Sequence, residues 1–132
     1  MNPWISVLVV GVGGGIGSVL RYGFSLALQR QSLSFPFGTL GANLLGCLAI
    51  GAITALAGEM AALPPQMRLF LGTGVCGGFT TLSTFTYEFS GFLNEADYLY
   101  AAGYLALTVC GGVLMFYLGA LLVRLAFRLG GG

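Results

Sequence analysis

The chain has 132 residues, 57% of them hydrophobic and only 7% charged, with a formal net charge of +1. Soluble domains carry about 25% charged residues. Composition therefore excludes a water-covered globule, and the near-zero net charge gives no basis for binding nucleic acid.

The first apolar run extends from about Trp4 to Leu28, and about 20 such residues cross a bilayer. Residues 1–10 lack the basic n-region of a secretory signal, so they read as the start of this span. The span holds the GxxxG pairs Gly11/Gly15 and Gly13/Gly17. Both predict close helix approach, since lipid tails provide no hydrophobic drive between helices. A phosphate-binding glycine loop is the alternative. It fails because Ile16 stands where the third glycine belongs and the chain has no lysine.

Polar residues 29–34 close the first span, and Pro36 suits the first turn of a second helix running from 36 to about 57. Asn43 lies well inside that apolar zone, and Ala42/Gly46 forms another small-residue pair. A buried amide serves either an ion or a neighbouring helix, and the sequence alone leaves both open.

Gly58-Glu59 and Pro64-Pro65 bound the next loop, and a third span covers about 66–93. Four glycines and five hydroxyl residues lie between Gly72 and Phe85. Gly77-Gly78 predicts a break in the helix about ten residues in, roughly 15 Å along and near mid-bilayer. Such breaks survive where the freed backbone is buried or lines a cavity. Half-helix N-termini then offer N–H groups to anions, and unwound carbonyls can hold a cation. The competing reading is that the glycines only pack helices and the hydroxyls bond back to carbonyls. Glu88 shares a helix face with Thr84 and Thr81.

After a polar break at 94–97, a fourth span runs from 98 to about 127 and ends in the Gly130–Gly132 tail. Tyr104 and Thr108 lie one turn apart on one face of it. Cys47, Cys76 and Cys110 stand singly in apolar segments, with no zinc-like spacing, and read as small buried hydrophobes.

The expected fold is an all-α membrane protein: one transmembrane domain over residues 1–132, with four helices and the third broken at mid-membrane. Arg68, Arg124 and Arg128 would share one membrane face, against Arg30 and Arg21 on the other. That difference instructs orientation weakly. Insertion both ways round would allow an antiparallel two-fold dimer. With neither His nor Lys, and with Glu59, Glu88, Glu95 and Asp97 scattered, no nucleophile, base and orienter can be assembled. The expectation is transport, not enzymatic catalysis.

Three segments then carry a resemblance. They are Gly14–Tyr22 (GGIGSVLRY), Gly38–Gly46 (GTLGANLLG) and Gly74–Phe85 (GVCGGFTTLSTF). In order, spacing and span count, the chain resembles the Fluc (CrcB) fluoride channel family over nearly its whole length. The resemblance implies a dual-topology homodimer in the cell (inner) membrane that conducts fluoride passively and protects the cell from its toxicity. It implies a structural, non-transported sodium ion at the dimer centre, held by the backbone carbonyls of Gly77 and Thr80. The implied fluoride pathway comprises Asn43, Ser83, Phe85, Tyr104 and Thr108, with Arg21 at a vestibule and Thr39, Thr84 and Glu88 as pore support. Leu82 stands where the family usually carries its first pore phenylalanine, so it would form an apolar wall without a positive ring edge. Gly112 stands where the span-four polar track would continue.

The sequence leaves two rival readings. A small dual-topology multidrug transporter needs a membrane-embedded acid in its first span, which this chain lacks. A non-transporting membrane scaffold subunit would carry no ion flux.

Overall fold

The computed structural model describes residues 2–59 and 63–130. Residues 60–62 of the expected middle loop, the first residue and the last two of the glycine tail lie outside the described residues. Helix α1 is Pro3–Ala27, capped by the Asn2 side chain, which accepts the Trp4 N–H at 3.0 Å. Helix α2 is Phe37–Glu59. Pro36 sits one residue before α2, not in its first turn, and its carbonyl accepts the Leu40 N–H at 3.0 Å.

The next span is segmented. A short helix α3, Pro65–Arg68, leads into a π-helical stretch, Leu69–Cys76, and then α4, Gly77–Phe79. Thr80 and Thr81 are extended, with ψ 157° and φ −152°, and α5 follows over Leu82–Asn94. Helix α6 is Tyr98–Gly130. Three of these helices, α1, α2 and α6, are long and apolar enough to cross a membrane, with mean hydropathies of 1.8, 1.9 and 2.2. At 33 residues α6 is about 50 Å long. The hydrocarbon core is about 30 Å thick, so α6 must tilt or project beyond it.

The break falls three residues later than the glycine pair predicted. Gly77 has φ −62° and ψ −38°, and Gly78 lies inside α4, so both are helical. Packing explains the correction. A methyl group on Gly78 would overlap the Gly14 backbone, so Gly78 serves close approach and not chain reversal. A Cβ on Gly13 would lie 2.7 Å from the Phe70 carbonyl oxygen and 3.0 Å from the Gly74 Cα. One on Gly17 would overlap the Val75 carbonyl. Helix α1 therefore docks backbone to backbone on the π stretch and α4. Gly11 and Gly15, expected to pack in the same way, face outward: a methyl group on either would meet nothing within 4 Å. Helices α2 and α6 form the second tight pair, where Gly51 meets the Phe116 carbonyl and Gly119 meets the Leu48 carbonyl.

Helix α5 closes the other end of this pair. Phe35, Leu40, Phe85 and Tyr104 form a buried cluster, with Leu44, Phe89 and Phe92 packed against it. The turn from α5 to α6 is held by the Asp97 N–H donating to the Phe92 carbonyl at 2.8 Å, with Ala96 at φ 60°.

Candidate functional site

The break creates a hydrogen-bond deficit that its neighbours partly fill. In a continuous helix each carbonyl accepts from the N–H four residues on. The Thr81 N–H, which would serve the Gly77 carbonyl, donates instead to Asn43 Oδ1 at 2.7 Å. Asn43 Nδ2 in turn donates to the Thr81 carbonyl at 3.0 Å. The Asn43 amide thus pairs with the Thr81 peptide on both edges and splints the extended segment. The Thr84 N–H, which would serve Thr80, donates to Thr81 Oγ1 at 3.2 Å, making Thr81 the N-cap of α5. The Gly78 carbonyl accepts Arg21 Nε at 3.1 Å and Ser18 Oγ at 3.5 Å. A cation at that point also complements the negative end of α4's turn. The carbonyls of Gly77 and Thr80 are thereby released from the ladder, while Thr80 Oγ1 is spent on Cys76 at 3.0 Å.

Asn43, Thr80, Leu82 and Thr108 line one groove of about 390 Å³ together with Gly77, Cys47 and Cys76. Thr108 Oγ1 is buried without any hydrogen-bond partner, which singles it out among the described residues. Buried hydroxyls normally find partners. Asn43 retains one amide hydrogen beyond the one given to Thr81. The N–H groups of α5's first turn, other than that of Thr84, have no acceptor within the helix. Donors therefore converge where the helix is interrupted.

Thr39, Thr84 and Glu88 line a second, polar groove of about 660 Å³, with Ser25, Ser32 and Glu95. Glu88 joins three helices there: Thr39 Oγ1 donates to its Oε1 at 2.8 Å and the Tyr104 hydroxyl to its Oε2 at 2.6 Å. Tyr104 is fully buried, and its single donor is committed to Glu88.

Phe85 is 7% exposed, its ring centroid 4.7 Å from that of Tyr104 and 5.7 Å from that of Phe89. Leu82 is 75% exposed on the rim of the first groove. The Ser83 hydroxyl is exposed, 3.3 Å from that of Thr81. Arg21 lies at the break itself, on the Gly78 carbonyl. Cys76 is buried and Cys47 half-buried, but Cys110 is exposed, so the expectation of burial fails for the third cysteine.

Sequence reading placed Thr81 only on a face with Thr84 and Glu88 and gave it no part in the break, which its backbone and hydroxyl organise. A threonine immediately before an apolar helical run is a helix N-cap signal and could have located it. It also missed the pairing of Glu88 with Thr39 and Tyr104, which joins residues far apart in the chain.

These features define a helical membrane protein with three long apolar helices and a further, broken helical segment stabilised from a neighbouring helix. The profile of the family described as "CrcB-like protein, Camphor Resistance (CrcB)" matches residues 8–120, and the chain belongs to this family. Similar curated proteins carry the name "Fluoride-specific ion channel FluC". The one from Chlorobaculum tepidum is 46% identical over 120 residues, covering 91% of this chain and 95% of the relative. Those from Prosthecochloris aestuarii and Chloroflexus aurantiacus are 43% and 42% identical, over 90% of this chain in each case and 93% and 95% of their own lengths.

Proposed function

We propose that this chain is a fluoride-selective passive ion channel of the cell membrane, built from two antiparallel copies with a structural sodium ion between them. The relatives named as fluoride channels align with nine-tenths of the chain. The observation that carries the mechanism is the break at Thr80–Thr81, splinted by Asn43 beside a donor-lined groove.

Fluoride is small and strongly hydrated, so a route through lipid must replace its water with donors. Asn43 offers its remaining amide hydrogen, Thr108 its unpartnered hydroxyl, Ser83 its exposed hydroxyl and α5 its first-turn N–H groups. Phe85 would present a ring edge, which is electropositive. The exposed Leu82 supplies only an apolar wall. Arg21 raises the local potential for an anion near the break, and the polar groove with Thr39, Thr84 and Glu88 admits water to one end of the route.

Sodium fits the released carbonyls of Gly77 and Thr80. Hard cations take oxygen ligands, and an antiparallel partner would double the pair of carbonyls to four. When bound, the ion would fix two breaks against each other. Gly11 and Gly15 leave the outer face of α1 open to close approach. No coupling chemistry is needed, because fluoride would leave down its own gradient.

The test is reconstitution into liposomes loaded with fluoride or chloride, with efflux followed by ion-selective electrode. Rapid fluoride release with negligible chloride release is expected. Proton-driven uptake of organic cations would favour the multidrug transporter, and absence of all flux the scaffold subunit.

A further inference from the structure

Two of the three cysteines have no role in the route just described, yet both line its groove. Gly46 of α2 contacts the Thr80 methyl group, and Ile50 contacts Gly72, so α2 and the π stretch run antiparallel in this register. Cys76 lies midway between Gly72 and Thr80, and Cys47 lies between Gly46 and Ile50. The register brings the two cysteines to neighbouring levels of α2 and the π stretch, and both line the groove of about 390 Å³, where Cys47 Sγ also lies beside Gly112 of α6. Both are free thiols. We propose that Cys47 and Cys76 form a two-coordinate site for a soft divalent metal ion of the mercuric class, and that its occupancy closes the groove.

Ligand chemistry selects this class. Thiolates prefer soft ions, whereas zinc wants four ligands. Among the described residues no group of three or more Cys, Asp or Glu side chains is placed to hold a metal. A linear sulfur–metal–sulfur unit needs only two. Each thiol releases one proton to solvent, two metal–sulfur bonds form, and no electrons are transferred. Two thiolates neutralise a divalent ion, so the product carries no net charge into a low-dielectric interior. A monovalent soft ion would leave one buried negative charge, which is costly. The occupied site would lie beside Asn43, Thr80 and Thr108, which also line the groove. The blocking consequence rests on the channel reading; the binding does not.

The purified full-length protein is titrated with mercuric nitrate in detergent, following the mercury–thiolate charge-transfer absorption and the count of reactive thiols. One equivalent per chain should consume two thiols, with Cys110 still reactive to maleimide. Cys47→Ser and Cys76→Ser should each abolish tight binding, while Cys110→Ser should bind like the parent. Cys47→Ala and Cys76→Ala form a second pair of variants, without a buried hydroxyl, and should behave alike. In liposomes, mercuric ion should stop fluoride efflux from the parent and from Cys110→Ser, with recovery on adding dithiothreitol, and should spare Cys47→Ser. Tight binding that survives loss of either groove cysteine, or that disappears with Cys110→Ser, overturns the site. Intact two-thiol binding with undiminished fluoride efflux overturns the blockade. A parent that binds mercury but releases no fluoride before metal is added contradicts the channel reading and leaves the metal site standing.

Discussion

Asn43→Ala removes the splint and leaves the rest of α2 unchanged. The substitution deletes two hydrogen bonds, of 2.7 and 3.0 Å, and orphans both the N–H and the carbonyl of Thr81. Hydrogen bonds between membrane helices average only about 0.6 kcal/mol, because an unfolded helix finds other partners. An orphaned buried backbone group is the harsher case, at about 1–3 kcal/mol each. Thr81 is only half-buried, so water can reach part of the segment. The expected loss of stability is therefore about 2–4 kcal/mol, between the two bounds. Asn43→Asp keeps the acceptor for the Thr81 N–H but sets a carboxylate against the Thr81 carbonyl, so it should also destabilise. Equilibrium unfolding in mixed detergent micelles measures both, and liposome flux should fall in parallel. An Asn43→Ala protein that unfolds at the parent's midpoint would refute the splint.

Other variants separate packing from conduction. Gly17→Ala drives a methyl into the Val75 carbonyl and should cost about 1–3 kcal/mol of stability. Gly103→Ala in α6 meets nothing within 4 Å and should leave stability unchanged or raise it by up to about 1 kcal/mol in the same assay. Thr108→Val removes a hydroxyl that bonds nothing, so folding should be unharmed while fluoride efflux falls about tenfold or more. Phe85→Ile should reduce flux more than Leu82→Ala, because Phe85 is buried against Tyr104 and Leu82 is three-quarters exposed; parent-like flux from Phe85→Ile would refute a role for its ring. Ala96→Gly relieves a left-handed residue in the turn before α6 and should stabilise by about 0.5–1 kcal/mol, net of glycine's chain entropy, as read from the unfolding midpoint.

Much of the fold was legible because the bilayer imposes long apolar runs. The ends of α1 and α2 fall within about two residues of the reading from hydropathy, and α6 extends about three residues beyond it. Asn43 stood out for a similar reason: a polar side chain in an apolar span needs a partner. The position of the break was misread, and the cause is physical. Glycine weakens an isolated helix, but at Gly78 that weakness is outweighed by close contact with Gly14. The chain opens at Thr80–Thr81 instead, where an amide nearly forty residues earlier accepts and donates in place of the helix. Local propensity cannot register a bond of that sequence separation. The π stretch was equally hidden, since Leu69–Cys76 carries no mark distinguishing five-residue from four-residue winding. Glu88 was read from its helical face and, through the family resemblance, as pore support with Thr39 and Thr84, but its bonds to Thr39 on α2 and Tyr104 on α6 could not be read from the sequence.

Passive fluoride conduction is tested most directly by anion efflux from liposomes containing only this protein. The expected result is rapid release of fluoride without a proton gradient or nucleotide, and retention of chloride under the same conditions. Release of both anions at similar rates, or of neither, would contradict it.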